Sequence, residues 1–275
     1  MEITTSGALN NLDPDDKIVM VNLGTEHSSA LSQEGRVFTW GRGSSGGLGT
    51  NATVQRTSPS ERTTAGALNN LDPDDKIVMV NLGREHSSAL SQEGRVFTWG
   101  RNRNGQLGDG TTIDRLTPVE ITTSGALNNL DPDDKIVMVN LNNGHSSAIS
   151  EKGRVFTWGL NNLGRLGDGT TTQRTSPVEI TTSGALNNLD PDDKIVMVSL
   201  GLGYSSALSE KGRVFTWGNN SNGRLGDGTT TQRTSPVEIT TSGALSNLDP
   251  NDKIIMVNLG AGNSSALSQE GRVFI

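Results

Sequence analysis

Apolar residues come in short bursts along this chain, each broken by glycine or by small polar residues, and the bursts have strand length rather than helix length. "KIVMVNLG" from Lys76 is a run of mostly β-branched and apolar side chains, the pattern expected of a strand buried on both faces. "HSSALS" from His86 follows, with small side chains that let a neighbouring strand come close. Gln92 to Gly94 reads as a tight turn with Gly94 at positive φ, and the chain returns as "RVFTWG" from Arg95. After a Gly-rich loop, "PVEIT" from Pro118 is expected as a fourth strand, with the proline at the strand start, where its missing N–H is tolerated. "SGALNNLDPDD" then leads onward. Its Asp-Pro pair and Asn/Asp cluster read as a loop with one helical turn at most.

This whole pattern recurs with a period of 59 residues and no insertion: Met20, Met79, Met138, Met197 and Met256 are equivalent, as are Trp40, Trp99, Trp158 and Trp217. Self-similarity of this kind marks a repeat architecture, and four antiparallel strands per unit describe the blade of an all-β propeller. Strand alternation puts Phe97 and Trp99 on one blade face and Val96 on the other. Each aromatic can bury about 150–250 Å² between neighbours, which assigns the tryptophans to the core.

The pattern Gly-x-x-His-Ser-x-Ala-Leu, continued by Gly-x-Val-x-x-Trp-Gly-x-Asn-x-x-Gly-Gln-Leu-Gly, stands here as "GREHSSALSQEGRVFTWGRNRNGQLG" from Gly83. It resembles the repeat of the regulator of chromosome condensation family, and the resemblance spans essentially the whole chain. It implies a β-propeller, in that family usually of seven blades. Five full units would need 295 residues, and the 20 that are lacking correspond to Trp217 through Pro236 of the preceding unit. Met1 is equivalent to Val119, so "MEIT" is a fourth strand without a blade before it, while Gly271 to Ile275 is a third strand without a fourth after it. The expected domain is therefore one propeller over 1–275, with blades at about 17–60, 76–122, 135–181, 194–240 and 253–275, the last completed by 1–4 and hiding its edge. The rival is an incomplete portion of a larger ring, or a ring that closes only by self-association.

Composition narrows the class. Hydrophobic residues at 32%, aromatics at 4% and 34 glycines suit a turn-rich, short-stranded protein better than a helical bundle or a disordered tail. A net charge of -7 gives no global attraction to nucleic acid or to anionic lipid. No cysteine is present, which removes disulfides, thiolate metal sites and cysteine nucleophiles. The longest apolar run, "IVMV", is too short to cross a bilayer, and nothing after Met1 resembles a signal peptide, so a cytoplasmic location is the default expectation.

Internal comparison locates candidate function. The segments Gly164 to Val198 and Gly223 to Val257 differ only at Asn187/Ser246, Asp192/Asn251 and Val196/Ile255, so the copies are recent, or were made uniform by design or gene conversion. Against that uniformity two clusters of columns vary. Before the second strand stand Thr25, Glu26 and His27; Arg84, Glu85 and His86; Asn143 and His145; Leu202 and Tyr204; and Ala261 and Asn263. After the tryptophan stand Arg42, Ser44 and Ser45; Arg101, Arg103 and Asn104; Leu160, Asn162 and Leu163; and Asn219, Ser221 and Asn222. In an up-and-down blade these two connections lie at the same end. Drift would explain variable loops, but the linker between blades is a loop too and stays nearly constant, which favours a binding face. The "DPDDK" of each linker loads the opposite face with negative charge, whereas the variable loops bring Arg42, Arg84, Arg101 and Arg103, joined by Arg165 and Arg224, against Glu26 and Glu85. A protein partner with an acidic patch is expected there.

Chemistry finds little support. His27, His86 and His145 at equivalent inner positions suggest an axial metal, but Tyr204 and Asn263 break the set, and a repeat histidine bonding its own blade is the simpler reading. The "DPDD" motifs lack the central Gly and terminal Glu of a calcium loop, and "GDGTT" leads to a strand rather than a helix, so Asp109, Asp168 and Asp227 are expected to cap turns. No cofactor, metal or catalytic residue is expected. The resemblance implies guanine-nucleotide exchange on a small GTPase for the founding branch, whose distinctive loops are not traceable here. It implies light sensing for another branch through a Gly-Trp-Arg-His-Thr motif, whose tryptophan position holds Thr25, Arg84, Asn143, Leu202 and Ala261 in this chain. A bacterial β-lactamase-inhibiting propeller of similar repeat is the nearest analogy. The expected function is a non-enzymatic protein-interaction scaffold, with a structural or designed array lacking a specific partner as the alternative and an exchange-like regulator third.

Overall fold

A computed structural model describes residues 7–241, 243–249 and 251–275. Four antiparallel sheets and part of a fifth follow one another along the chain, each with its strands in sequence order. Blade 1 holds β1 Ile18–Leu23, β2 His27–Ser32, β3 Val37–Gly41 and β4 Arg56–Glu61. Blade 2 holds β5 Ile77–Leu82, β6 His86–Ser91, β7 Val96–Gly100 and β8 Arg115–Glu120. Blade 3 holds β9 Ile136–Leu141, β10 His145–Ser150, β11 Val155–Gly159 and β12 Arg174–Glu179. Blade 4 holds β13 Ile195–Leu200, β14 Tyr204–Ser209, β15 Val214–Gly218 and β16 Arg233–Glu238. Among the described residues blade 5 holds three strands, β17 Ile254–Leu259, β18 Ser264–Ser268 and β19 Val273–Phe274.

Two strand expectations need correcting. The first strand of each blade is not buried on both faces: a bulge sits between Ile77 and Met79, and Val78 between them is 45% exposed while Ile77 and Val80 are buried. The fourth strand starts three residues before Pro118, at Arg115, so the proline lies inside it. The register shift between Thr98 and Gly100 opens the ladder there, and Pro118 has no N–H to offer.

The core lies between blades rather than within them. Leu31 and Val37 of blade 1 pack with Ile77, Val80, Ala89, Phe97 and Trp99 of blade 2, and equivalent residues form the next three junctions. Blade 1 is less enclosed than the blades that follow it. Val21 is 52% exposed, whereas its equivalents Val80, Val139, Val198 and Val257 are all buried, and Trp40 is half-buried where Trp99, Trp158 and Trp217 are fully enclosed. The strap expected to close the ring, residues 1–4, lies outside the described residues.

The linker is held by its own bonds. A short 3-10 helix, Gly66–Asn70 and its equivalents, buries one leucine against the following blade. Gly66 has φ +54 and a Cβ there would meet the Pro118 carbonyl at 2.4 Å, so only glycine fits. The last aspartate of each DPDD or DPND motif turns inward: Asp16, Asp75, Asp134, Asp193 and Asp252 accept from the backbone N–H of Glu34, Glu93, Lys152, Lys211 and Glu270, each at 3.0 Å. These bonds tie the second-to-third turn to the linker at the same end of the blade. They also explain the linker's constancy by packing, and they take one acid per linker out of the expected negative face. Lys152 and Lys211 further offset that face by pairing with Asp133 and Asp192 at 2.8 and 2.7 Å.

Candidate protein-binding face

At the other end of each blade the two variable connections meet. The residue after the Trp-Gly pair donates its N–H to a carbonyl just before the second strand: Arg42 to Glu26, Arg101 to Glu85, Leu160 to Gly144 and Asn219 to Gly203, at 2.8–3.0 Å. Each third-to-fourth loop also leans on the next blade, as Ser44 does on Glu85 and the Arg224 guanidinium on the Ala261 carbonyl. In blades 2 to 4 an asparagine sets the loop. Buried Asn161 donates to Asp168 and to the Thr170 and Thr172 carbonyls and accepts from the Leu166 N–H, at 3.0–3.1 Å. Asp168 in turn accepts from Thr170 and from Arg174, which confirms the turn-capping expected of the GDG aspartates; Asp109 and Asp227 do the same. Blade 1 has Gly43 and Thr50 in place of this pair, and its loop instead holds Ser45 and Asn51 at φ 57 and 56.

The inner ends of all five blades surround one cavity of about 600 Å³. Thr25, Arg84, Asn143, Leu202 and Ala261, one variable column, line its mouth and are exposed. Leu23, Leu82, Leu141 and Leu259 form its collar. Sequence reasoning missed these leucines because they do not vary between units; their signal was the constant leucine at the end of every first strand.

The third variable column behaves otherwise. His27, His86, His145 and Tyr204 are buried at 0–3% exposure, so they do not reach a partner, and this corrects their inclusion among contact residues. Nor do the histidines bond their own blade. His27 Nε2 meets Ser87 Oγ of the next blade at 2.8 Å, and His86 and His145 meet Ser146 and Ser205 at 3.3 and 3.2 Å. Each serine spends its single proton on a carbonyl of the preceding blade's loop, Gly47, Gln106 or Arg165, at 2.8 Å. The histidine must therefore donate, which fixes its Nε2–H tautomer. Burial pushes the imidazoles down, to about 4 for His27, where Glu85 acts the other way, and to about 3 for His86, where His27 adds to the effect. Tyr204 takes the same place in blade 4 by sharing its one hydroxyl proton between the Asn263 and Gly260 carbonyls, at 2.7 and 3.1 Å.

The arginines are more compensated than expected. Arg42 pairs with Glu26 at 3.0 Å, Arg101 pairs with Glu85, and Arg84 stands 3.9 Å from Glu26. Arg165 is buried and held by Asn162. Arg224 stacks on Tyr204 at 5.4 Å. Arg103 is exposed, with no ion pair among the described residues. Asn162, Ser221 and Asn222 are exposed, while Asn104, Leu160, Leu163 and Asn219 are half-buried. The two arms of the face are thus cationic around Arg84 and Arg103 and neutral around Asn143, Leu202 and Ser221.

The RCC1-like domain profile matches residues 4–275. The chain belongs to the RCC1-like domain family. It is 32% identical to the ultraviolet-B receptor UVR8 of Arabidopsis thaliana over 80% of this chain and 45% of that protein. It is 34% identical to the probable E3 ubiquitin-protein ligase HERC6 of Homo sapiens over 79% of this chain and 20% of that protein. This RCC1-like chain therefore spans less than half the length of these curated relatives. Its fold is similar to that of human WBSCR16, with a TM-score of 0.75 and 25% identity over 94% of this chain and 59% of that one. Prp20p from Saccharomyces cerevisiae, a structure described with its binding properties to Gsp1p and histones, gives a TM-score of 0.70 at 21% identity, over 94% of this chain and 58% of that one. The likeness to Prp20p supports the propeller fold alone.

Proposed function

We propose that this RCC1-like propeller is a non-enzymatic protein-interaction module, and that a macromolecular partner seats on the variable loop face with an acidic group near Arg84 and Arg103. One observation carries the reading. In a chain of near-identical units, one exposed column that differs, Thr25, Arg84, Asn143, Leu202 and Ala261, brings one residue from each of the five blades to a single cavity mouth, while the constant loops at the opposite end are explained by their own hydrogen bonds. Leu202, 47% exposed at that mouth, supplies an apolar anchor on the neutral arm of the face. An exchange-like role is the narrower form of the reading.

The test is affinity capture with photo-crosslinking from the exposed positions. The parent is compared with the R84E/R103E double variant and with a control changed at Asp131 and Asp133 on the linker side. Capture lost in the first and kept in the second is expected. Equal capture by all three removes the loop face as the binding site.

A further inference from the structure

Three asparagines of this chain are followed by glycine, and all three pairs lie in the variable connections of the candidate binding face: Asn104 with Gly105, Asn143 with Gly144 and Asn222 with Gly223. Such a pair carries its own chemistry. The glycine N can attack the asparagine Cγ and close a five-membered ring, and with no Cβ on the glycine nothing bars the approach. The structure separates the three pairs. Gly105 and Gly223 close tight turns in which their N–H groups donate to the carbonyls of Asn102 and Asn220, at 2.8 and 3.0 Å. In blade 4 Gly203, the equivalent of Gly144, donates to the Gly201 carbonyl at 2.9 Å. The Gly144 N–H has no acceptor among the described residues.

The Asn143 side chain is free as well. It is exposed at the cavity mouth, in a bend between β9 and β10, and its amide makes no hydrogen bond among the described residues. Asn104 by contrast is half-buried, with its own N–H held by Gln106 Oε1 at 2.9 Å. Nor does the backbone require glycine at 144. Gly144 lacks the left-handed φ of Gly105, Gly203 and Gly223, at +68, +95 and +69, and a Cβ there would make ordinary contacts of 3.4 Å with Asn104 Nδ2 and Leu160 Cδ2.

We propose that Asn143 is a site of spontaneous deamidation, which adds a negative charge to the cavity mouth as the chain ages. The Gly144 N forms a bond to Asn143 Cγ, the Cγ–Nδ2 bond breaks, and ammonia leaves with the proton of the Gly144 N–H. Water then adds to one carbonyl of the succinimide and opens it to aspartate or isoaspartate, with no change of oxidation state. At Gly105 and Gly223 a hydrogen bond must open before the same attack, which slows it about fivefold. The product sets a carboxylate at the mouth that Arg84 also lines, on the arm that is otherwise neutral. Its consequence rests on the loop face being the binding surface for an acidic partner: deamidation is then a one-way weakening of that partner's hold.

Peptide mapping by mass spectrometry of the full chain, held folded in warm, mildly alkaline buffer, tests the site. Asn143 should convert to the acid at least about fivefold faster than Asn104 or Asn222, and in urea the three rates should fall within about twofold of one another. Gly144→Ala, whose Cβ the backbone accommodates, should melt with the parent and slow conversion at Asn143 to the rate of Asn104 or below. Equal rates at the three sites in the folded chain, or an undiminished rate in Gly144→Ala, overturns the site. The effect on binding is read by calorimetric titration with an oligoglutamate peptide. N143D should bind it about threefold more weakly than the parent, and R84E/R103E more weakly still. N143D matching the parent while R84E/R103E weakens removes the effect of deamidation on binding and leaves the binding face standing. R84E/R103E matching the parent, or no binding by the parent, removes the binding face and that effect with it.

Discussion

Replacing Ser87 with alanine should separate the junction bond from everything else at that position. Ser87 Oγ accepts from His27 Nε2 and donates to Gly47 O, both at 2.8 Å, and its residue has no exposed surface. The Gly47 carbonyl keeps a donor in Trp99 Nε1, so the loss falls on the imidazole, which is left with a buried N–H and no acceptor. An orphaned buried donor costs about 1–3 kcal/mol, and the deleted hydroxyl leaves too small a space for much cavity cost. Ser28 is the matched control. It is the equivalent serine of blade 1, half-buried, with no side-chain hydrogen bond among the described residues, and S28A should fall within about 0.5 kcal/mol of the parent. Because a repeat array can unfold in parts, urea unfolding should be read together with hydrogen exchange of the β2 and β6 amides. S87A is expected to speed exchange on both sides of the first junction and to lower the midpoint. If S87A and S28A agree within error by both measures, the histidine–serine–carbonyl chain does not hold the blades together.

The same histidines predict acid sensitivity. Their folded pKa values lie below the unfolded value of 6.5, so stability is unaffected above that pH and is lost as pH falls below it, until His27 protonates near 4 and His86 near 3. At pH 5 this is at most about 2 kcal/mol for each, and Glu61 and Glu120, held low by the forks of Arg36 and Arg95, contribute their own loss only below about 4.5. Urea unfolding of the H27N/H86N variant should therefore show a flatter slope between pH 6.5 and 4.5 than the parent; parallel slopes would contradict the assignment. Asn161→Ala should cost about 2–3 kcal/mol and speed exchange in its own loop, whereas the blade 1 loop around Gly43 should already exchange fastest of the four, both read by hydrogen exchange. Arg95→Lys should lose most of what Arg95→Ala loses, about 1 kcal/mol by chemical unfolding, because the two-pronged bond to Glu120 and the stacking on Phe97 both need the planar fork.

What the sequence made legible, and what it hid, follows from the repeat itself. The second strand is bounded as read, His86 to Ser91, because a turn glycine and a change of pattern mark both ends. The fourth strand was misplaced because its first residues, Arg115 to Thr117, carry no strand pattern; they pair across a bulge, with Arg115 anchored on Asp109. The histidine's role was hidden for a different reason. His27 and Ser87 are 60 positions apart, one period plus one, and each of the three units that carry the histidine contains both residue types. A bond between neighbouring units therefore looks, in the sequence, like a bond within one.

That degeneracy also changes how the variable columns should be weighed. Three successive positions vary before each second strand, and if variation alone marked the binding face all three would belong to it. The strand enters the sheet across these positions, so their exposure falls from Arg84, exposed, through Glu85, half-buried, to His86, enclosed. At the last of them variation has a structural cause: Tyr204 reaches the Asn263 and Gly260 carbonyls, where histidine reaches a serine. Such a change re-satisfies a junction and carries no information about a partner. The side chains of the first column make no buried bond across a junction, the exposed Arg84 standing 3.9 Å from Glu26, and this column is the one that lines the cavity. Variation there, at Thr25, Arg84, Asn143, Leu202 and Ala261, is the part that packing leaves unexplained, and it is where partner-directed substitutions should have their effect.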